Sequence, residues 1–300
     1  MEDGSKGRER YRQMIDPRKL SKDDIRRVAG RLRRHGLGPL LDSTLLSPQA
    51  TGAQIDALVD EAVGLGANIC VNGSRIGRAV ARLGIHEGAR ERGIRIISVV
   101  AFPLGACTTE SKVAEAEHCL ELGADEVDVV ANVGLLKDGD FDGYRDDIDA
   151  IAAAVAEFNA ANGAARGLKV IIETCYLTDN EKEFAAGTIA GIGLRRRIPI
   201  FVKTSTGFGK PPRGVPPGAT IDDVLLIRRA VGEYHPETNP VGVKAAGGIQ
   251  DATAVINFVI AGGGVDGDLN LVHNLYAAVR IGTSSAAAIA RDFVNVYSED

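Results

Sequence analysis

The sequence predicts an α/β protein, a (β/α)8 TIM barrel with an additional N-terminal helical extension. From residue 40 onward, short β-branched runs alternate eight times with longer stretches of helical periodicity. The strand candidates are continuous apolar runs, as expected where both faces of a parallel sheet are buried. A doubly wound open sheet is the alternative, but DSTLL (42–46) follows its first strand instead of a glycine-rich fingerprint.

Length and composition fit one large barrel. The 300 residues are 45% apolar and 25% charged, which supplies a core and excludes a disordered chain. No apolar run approaches the roughly 18 residues of a membrane span, and the first 20 residues lack the apolar stretch of a secretory signal. The four cysteines show neither CxxC nor Cys/His spacing, which predicts reduced thiols and no metal site. We therefore expect a soluble, cytoplasmic protein.

The N-terminal region is basic although the whole chain carries a net charge of −5. Residues 1–40 hold 12 Lys and Arg against 6 Asp and Glu, and residues 20–37 predict a helix capped by Ser21. Ile25, Val28 and Leu32 share one face of this helix. A basic arm can bind nucleic acid, but no aromatic residues interleave these charges, so a solvated helix is favoured. We expect no nucleic-acid or membrane partner.

The strands and helices follow one another in the order of a barrel. Strands are predicted at 40–43, 68–72, 94–101, 126–131, 168–173, 199–203, 241–244 and 278–281. Helices are predicted at 51–65, 74–92, 108–122, 142–159, 179–194, 220–233, 251–261 and 283–293. Gly66 and Gly123 end two of these helices as left-handed caps. The chain then divides into an extension (1–38), the barrel (39–295) and a tail (296–300).

Polar side chains collect where the predicted strands end. In a barrel these ends face the active-site mouth, and charges there are costly unless they are paired. The residues at these positions are Asp42, Cys70, Asn72, Asp128, Glu173, Lys203 and Lys244. Asp125 and Glu126 lie at the opposite end of the fourth strand, where we expect capping or surface roles.

Two lysines end neighbouring strands. Lys203 closes an apolar run, so partial desolvation is expected to lower its pKa, and a neutral amine forms Schiff bases with carbonyl substrates. Lys203 alone would be interpreted as a lysine that extends out of the barrel end. Lys244 ends the next strand, and each cation is expected to lower the pKa of the other. The pair therefore favours imine chemistry.

Other residues of the predicted mouth complete this hypothesis. Asp128 interrupts an apolar strand, so its side chain is expected to point into the barrel, relay protons through a water and also neutralise Lys244. Asp42 is equally compatible with a turn cap and a substrate contact. Cys70 is expected to line the pocket as a small apolar group.

The last two loops carry a phosphate signal. AGGI (246–249) precedes a helix, and IGTSS (281–285) follows the eighth strand and opens another. Small residues let backbone N–H groups approach an anion, and barrels frequently bind phosphate after strands 7 and 8. The substrate is therefore expected to carry both a phosphate and a carbonyl group.

Seven motifs in order closely resemble the deoxyribose-phosphate aldolase family over residues 38–293. They are NICVN (68–72), SVVAFPLG (98–105), GADEVDVVANVG (123–134), KVIIETCYL (169–177), FVKTSTGF (201–208), VGVKAAGGI (241–249) and RIGTSS (280–285). The resemblance implies a class I aldolase without metal or cofactor that reversibly cleaves 2-deoxy-D-ribose 5-phosphate to D-glyceraldehyde 3-phosphate and acetaldehyde. The partners expected are this phosphorylated sugar and copies of the same chain, as a dimer or tetramer.

The resemblance also assigns roles by motif. Lys203 matches the Schiff-base lysine, Lys244 the second lysine, and Asp128 the proton relay, with Asp42 contributing. The substrate-binding positions are Cys70, Thr206, Gly247, Gly248, Gly282, Ser284 and Ser285. The chain departs from the family at Ser43 and at Phe208, where some members have lysine. It also has additional segments at 209–218 and 262–277, of which the first either closes over the phosphate or is a stiff exposed linker.

Two other functions stay open. Another class I aldolase on the same barrel would condense a different phosphorylated aldehyde, and substrate competition would separate the two. A barrel that binds phosphorylated sugars without catalysis is disfavoured, because it has no reason to bury two like charges. A dehydrogenase would need a glycine-rich fingerprint that the sequence lacks.

Overall fold

The chain forms a closed parallel barrel. The computed structural model describes residues 14–235 and 237–297. Each strand pairs in parallel with the next one in sequence, and the eighth pairs with the first. The strands are β1 (Leu41–Leu45), β2 (Asn68–Asn72), β3 (Ile96–Val100), β4 (Glu126–Val130), β5 (Gly167–Ile171), β6 (Ile200–Lys203), β7 (Val241–Ala246) and β8 (Val279–Thr283). The predicted (β/α)8 barrel is confirmed.

Helices surround this barrel. Those of the described residues are α1 (Lys22–His35), α2 (Gly52–Leu65), α3 (Ile76–Gly84), α4 (Thr109–Glu121), α5 (Val133–Asp138), α6 (Phe141–Asn162), α7 (Asp179–Arg196), α8 (Ile221–Val231), α9 (Ala252–Ala261), α10 (Leu275–Ala278) and α11 (Ala286–Tyr297). The sequence did not predict the short helices α5 and α10. The expected helix 74–92 was too long, because positive φ angles at Gly88 (68°) and Gly93 (81°) turn the chain after α3. None of the described helices is long and apolar enough to cross a membrane.

Strand residues alternate between two environments. One set, including Ile69, Val127 and Val170, packs under the helices in the main hydrophobic core. The other set faces the barrel axis, where Asp128 and Lys169 are register partners on β4 and β5. The side chains on the axis are the ones that build the site.

The N-terminal helix packs on the barrel through the face predicted from the sequence. Val28, Ala29 and Leu32 are fully buried, and Ser21 caps α1 in a reciprocal capping box with Asp24. Gly66 adopts the left-handed conformation expected of a helix cap. Residues 1–13 of the predicted extension and 298–300 of the predicted tail lie outside the described residues.

The additional segment 262–277 contacts α1. The Arg31 guanidinium donates to the carbonyl of Leu269, and the Tyr276 hydroxyl lies 2.9 Å from the carbonyl oxygens of both His35 and Gly36. These hydrogen bonds connect two of the parts of the chain that are additional to the family resemblance, away from the barrel interior.

Candidate active site

Charged side chains fill the barrel interior. We call them the interior ion cluster: Asp42, Glu126, Asp128, Lys169, Lys203, Lys244 and Arg280. None of them is more than 4% exposed. Because isolated buried charges are strongly unfavourable, the three carboxylates and four cations must compensate one another.

Asp128 is the centre of this cluster. Its Oδ2 accepts hydrogen bonds from Lys203 Nζ and Lys244 Nζ, each at 2.8 Å, and its Oδ1 accepts one from Lys169 Nζ at 2.9 Å. Burial alone would raise the pKa of Asp128, but the three cations outweigh burial and hold this pKa well below its usual range. Asp128 is therefore a carboxylate anion shared by three ammonium groups.

Lys203 is the least compensated lysine of the cluster. It ends β6 with 4% of its surface exposed, and Asp128 is the one carboxylate of the described residues within ion-pair distance. Burial lowers the pKa of Lys203; Asp128 opposes this effect and the neighbouring Lys244 adds to it. A buried amine that loses its proton more easily than usual is suited to attack a carbonyl carbon.

Lys244 has the opposite electrostatic environment. It is the register partner of Lys203 on β7, and it donates to Asp42 Oδ2 at 2.6 Å as well as to Asp128. Burial opposes its charge, but these two carboxylates outweigh burial and raise the pKa of Lys244. The pKa of Lys244 therefore shifts upward overall, although Lys203 alone was expected to lower it, because the sequence did not reveal Asp42 as its partner.

Asp42 lies inside the barrel and not at a strand end. β1 continues to Leu45, so the predicted end position was wrong. Asp42 Oδ1 accepts from Asn68 Nδ2 at 3.0 Å and lies 3.2 Å from the Arg280 guanidinium. The nearby cations hold the pKa of Asp42 below its usual value against the effect of burial. These contacts belong to the ion cluster and not to a turn cap.

Sequence reasoning missed three members of the cluster. Glu126 was expected at the surface, but it is 2% exposed and bonds Lys169 and Arg280. Lys169 and Arg280 were not singled out, although each is a charge inside an apolar strand. That interruption is the same signal that identified Asp128, and it also applied to both residues.

The mouth above Lys203 contains Thr206. Its hydroxyl donates to the Glu173 carboxylate and accepts from the Phe208 N–H at 2.9 Å. Burial raises the pKa of Glu173, which has a left-handed backbone with φ 55°. Backbone strain of this kind is concentrated at functional sites. Because the Thr206 hydroxyl already donates its hydrogen to Glu173, its oxygen can only accept a further hydrogen bond.

Cys70, on β2, lies near Lys203 and Lys244 inside the barrel. It is 1% exposed and packs with Ile97 and Val99, and burial raises the pKa of its thiol. It therefore forms part of an apolar wall. Phe102 packs against the same three residues, and its ring meets that of Phe208 edge-on at a centroid distance of 5.2 Å.

Of the predicted phosphate-binding glycines, Gly247 and Gly248 lie in the turn after β7, whereas Gly282 lies near the end of β8. Gly247 and Gly248 have φ angles of 89° and 77°, and a Cβ on Gly247 would lie 2.9 Å from Gly218 Cα. Gly282 is packed just as closely, because a Cβ there would lie 3.0 Å from Lys244 Cε. Only glycine permits this approach of backbone to backbone and to the lysine.

Ser284 and Ser285 precede α11. Ser284 is exposed, and Ser285 is half-buried with its carbonyl accepting from Ile289 N–H in the first helical turn. The backbone of the pair thus lies at the positive end of a helix dipole, which favours an anion.

Most of the additional segment 209–218 is exposed. Lys210 and Arg213 are both exposed. The backbone N–H of Lys210 donates to the Tyr176 hydroxyl at 2.7 Å. Only its last residue, Gly218, is buried, against Gly247. The segment therefore contacts the barrel at both ends, at Tyr176 and at the glycine turn, and is mostly exposed between them.

No metal site is formed by the part of the chain that the structure describes: it contains no group of three His, Cys, Asp or Glu side chains placed to hold an ion. The described cluster instead offers a buried amine, a second charged amine and a shared carboxylate. These groups supply what imine formation and proton transfer require.

The chain matches known proteins over most of its length. The family model described as DeoC/LacD family aldolase matches residues 41–284. The deoxyribose-phosphate aldolase of Thermococcus gammatolerans is 41% identical over 250 residues, which cover 83% of this chain and 92% of that protein. The deoxyribose-phosphate aldolase of Thermococcus kodakarensis is 40% identical over 259 residues, covering 86% of this chain and 97% of that protein.

Solved structures share the architecture. The tetrameric deoxyribose phosphate aldolase of Aeropyrum pernix superimposes with a TM-score of 0.64 at 26% sequence identity. The match covers 92% of this chain and 100% of that one. The similarity therefore includes the complete barrel.

Proposed function

This chain belongs to the DeoC/LacD family of aldolases, and on that premise we propose that it reversibly cleaves 2-deoxy-D-ribose 5-phosphate into D-glyceraldehyde 3-phosphate and acetaldehyde. The substrate named for its relatives supports this choice. The observation that carries the proposal is the placement of Lys203, a buried amine with a lowered pKa at the barrel mouth. Lys203 is the residue on which the Schiff base forms.

The chemistry follows from this amine. Neutral Lys203 Nζ adds to the aldehyde carbon of the open-chain sugar, and loss of water gives an iminium ion. The C2–C3 bond then breaks, its electron pair moves into the iminium as an enamine, and the C3 hydroxyl loses its proton as glyceraldehyde 3-phosphate forms. Protonation of the enamine carbon and hydrolysis release acetaldehyde and restore Lys203.

Asp128 and Lys244 serve the proton transfers. Asp128 is the relay: three cations keep it ionised, so it accepts a proton through a water and passes it on instead of storing it. Lys244, held charged by Asp42 and Asp128, lowers the pKa of Lys203 and keeps the carboxylate in place. Asp42 acts through Lys244.

The phosphate binds at the two turns after β7 and β8. Gly247, Gly248 and Gly282 let the backbone approach the anion, and Ser284 and Ser285 add the first turn of α11. Thr206 accepts a hydrogen bond from a substrate hydroxyl, and Cys70 lines the apolar side of the pocket.

Borohydride trapping tests the proposal. The protein is incubated with acetaldehyde, reduced, and analysed by intact mass and peptide mapping. One ethyl group on Lys203 is expected. An ethyl group on Lys244 instead would exchange the roles of the two lysines, and no adduct on folded protein would contradict the imine mechanism.

The remaining organisation is proposed on the same basis. Residues 1–38 form an extension, 39–295 the catalytic barrel and 296–300 a tail, in a cytoplasmic enzyme without nucleic-acid partners. The tetramer described for the Aeropyrum pernix relative supports a homo-oligomer here. Light scattering on the full chain would measure its size, and a monomer would contradict that assignment.

A further inference from the structure

Glu126 lies deeper in the barrel than any group that the proposed reaction uses. It begins β4, two residues before Asp128, and is therefore about 7 Å further from the mouth along the strand. Its carboxylate accepts from Lys169 and lies 3.0 Å and 3.1 Å from the Arg280 guanidinium. From the outer side it pairs with Arg95, whose side chain is 52% exposed. No substrate atom reaches it through this packing.

Lys169 connects Glu126 to Asp128. Its Nζ donates to Glu126 Oε2 and, at 2.9 Å, to Asp128 Oδ1. Since Lys169 occupies Oδ1, both Lys203 and Lys244 donate to Oδ2. Lys203 is thereby left with a single carboxylate oxygen that it shares with Lys244. Lys244 contacts two carboxylates, and Lys169 contacts two and lies 4.0 Å from a third, Asp42.

The charges of the cluster show what this arrangement achieves. Three carboxylates face four cations, so the cluster is balanced when one cation is neutral. Arg280 keeps its proton because Asp42 and Glu126 support its charge against burial. Among the lysines, Lys169 has Glu126 and Lys244 has Asp42, in addition to Asp128. Lys203 has no second carboxylate of this kind within the described chain.

We propose that Glu126 is a positioning residue of the reaction, which holds the Lys169 ammonium group against Asp128 and thereby leaves Lys203 as the interior amine that gives up its proton. This inference rests on the proposed function, since it concerns the lysine that forms the Schiff base. Glu126 acts through Lys169 and Asp128 and not by contact with substrate.

The proposal fixes the direction of a pH effect. The groups that face Lys203 are Asp128, Lys244, Cys70 and Glu173, and those that face Glu126 are Lys169, Arg280, Arg95 and Asp42. In Glu126→Gln, Lys169 still has Asp128 at 2.9 Å and Asp42 at 4.0 Å, but it loses the carboxylate that fixes its ammonium group beside Asp128 Oδ1. With that cation displaced from Oδ1, Asp128 holds the proton on Lys203 more firmly, so Lys203 reacts only at higher pH.

A direct effect of the Glu126 charge on Lys203 would shift the pH of its reaction in the opposite direction. Removing a negative charge from the cluster would by itself favour proton loss from Lys203 and move its reaction to lower pH. The direction of the shift therefore separates action through Lys169 from action by charge alone, and a purely structural role for Glu126 gives no shift.

The test measures trapping of acetaldehyde on Lys203 by cyanoborohydride as a function of pH, with peptide mapping. Glu126→Gln and Lys169→Met are each expected to raise the midpoint of the acid limb by about half a pH unit or more. The double variant is expected to lie close to Lys169→Met, because Glu126 no longer acts through Lys169 once that cation is gone and the loss of its own charge adds only a small downward shift. An unchanged or lowered midpoint in Glu126→Gln would overturn the proposal.

Asp147→Asn is the matched control. It breaks another buried ion pair, with Lys112 at 2.6 Å between α4 and α6, and is expected to leave the midpoint unchanged. If Glu126→Gln does not fold, Lys169→Met carries the test, and a wild-type midpoint in that variant overturns the proposal. Absence of any adduct on wild-type Lys203 would instead contradict the proposed function itself.

Discussion

Lys203 and Lys244 are register partners on adjacent strands, and their ammonium nitrogens lie 2.8 Å from the same oxygen of Asp128. Their pKa values nevertheless move in opposite directions, down for Lys203 and up for Lys244. The difference arises because Asp42 contacts Lys244 and not Lys203. Lys203 is thus the amine that loses its proton more easily and Lys244 the one that remains a cation, an arrangement that fits the proposed imine chemistry.

Lys203→Leu is expected to abolish turnover and acetaldehyde trapping while the barrel stays folded. The variant removes the amine proposed to form the imine but keeps an apolar side chain in a buried position, and it leaves Asp128 with two of its three cations. Cleavage assays with circular dichroism check this. Lys137→Leu, a half-exposed lysine paired with Glu181, is the control and is expected to keep wild-type activity. Undiminished turnover in Lys203→Leu would exclude the assignment.

Lys244→Leu is expected to raise the pH at which the imine forms. Loss of the neighbouring cation raises the pKa of Lys203, and Asp128 Oδ2 then serves Lys203 alone. Lys203 is therefore protonated, and unreactive, up to a higher pH than in the wild type. The pH profile of trapping measures this shift. Lys244→Arg keeps the positive charge and should stay closer to the wild-type profile, whereas identical profiles for all three proteins would contradict the role of Lys244.

The barrel can be predicted well from the sequence because each parallel strand is identified by a pattern in its own short stretch of residues. A continuous apolar run followed by a helical stretch identifies a strand without knowledge of its partners. The strand β2 was predicted with its exact bounds, whereas β1 and β7 extend further than predicted, to Leu45 and Ala246. The added residues of β7 are alanines, and the added Thr44 and Leu45 of β1 continue into Leu46 without a change in composition, so composition marks neither strand end.

The ion cluster was predicted only in part because its pairings are not local. Lys244 contacts Asp42 across 202 positions of the chain, and barrel closure between β8 and β1 is what brings their strands close together. Glu126 was assigned to the surface from its place at the start of a strand. The strand alternation that turned Asp128 inward applies equally to Glu126 two residues earlier, so this error could have been avoided.

Gly218→Ala is expected to weaken binding of phosphorylated substrate. A Cβ at position 218 would lie 2.3 Å from the carbonyl oxygen of Gly247, so the turn after β7 must move. KM for the phosphorylated sugar should rise, with a smaller effect on unphosphorylated deoxyribose. Gly64→Ala is the control, because nothing lies within 4 Å of a Cβ at that helical position. Equal KM values for Gly218→Ala and wild type would contradict a phosphate role for this turn.

Tyr276→Phe is expected to lower the free energy of unfolding by about 1 kcal/mol, the usual contribution of a hydrogen bond. The lost hydroxyl connects the segment 262–277 to the end of α1 at the carbonyl groups of His35 and Gly36. Urea denaturation measures the change. Turnover should stay at the wild-type level, because neither segment reaches the ion cluster; a large loss of activity with unchanged stability would indicate a different role.

Ser285→Asp is expected to discriminate between phosphorylated and unphosphorylated substrates. Ser285 is half-buried and precedes the first turn of α11, so a carboxylate there repels a bound phosphate and competes with it for the positive helix end. KM for 2-deoxy-D-ribose 5-phosphate should rise about 10- to 100-fold, as expected for repulsion at close range. KM for free deoxyribose should change little, which makes it an internal control against misfolding. Ser285→Ala, which adds no charge, should affect both sugars only slightly. Equal losses for the two sugars in Ser285→Asp would place the phosphate elsewhere.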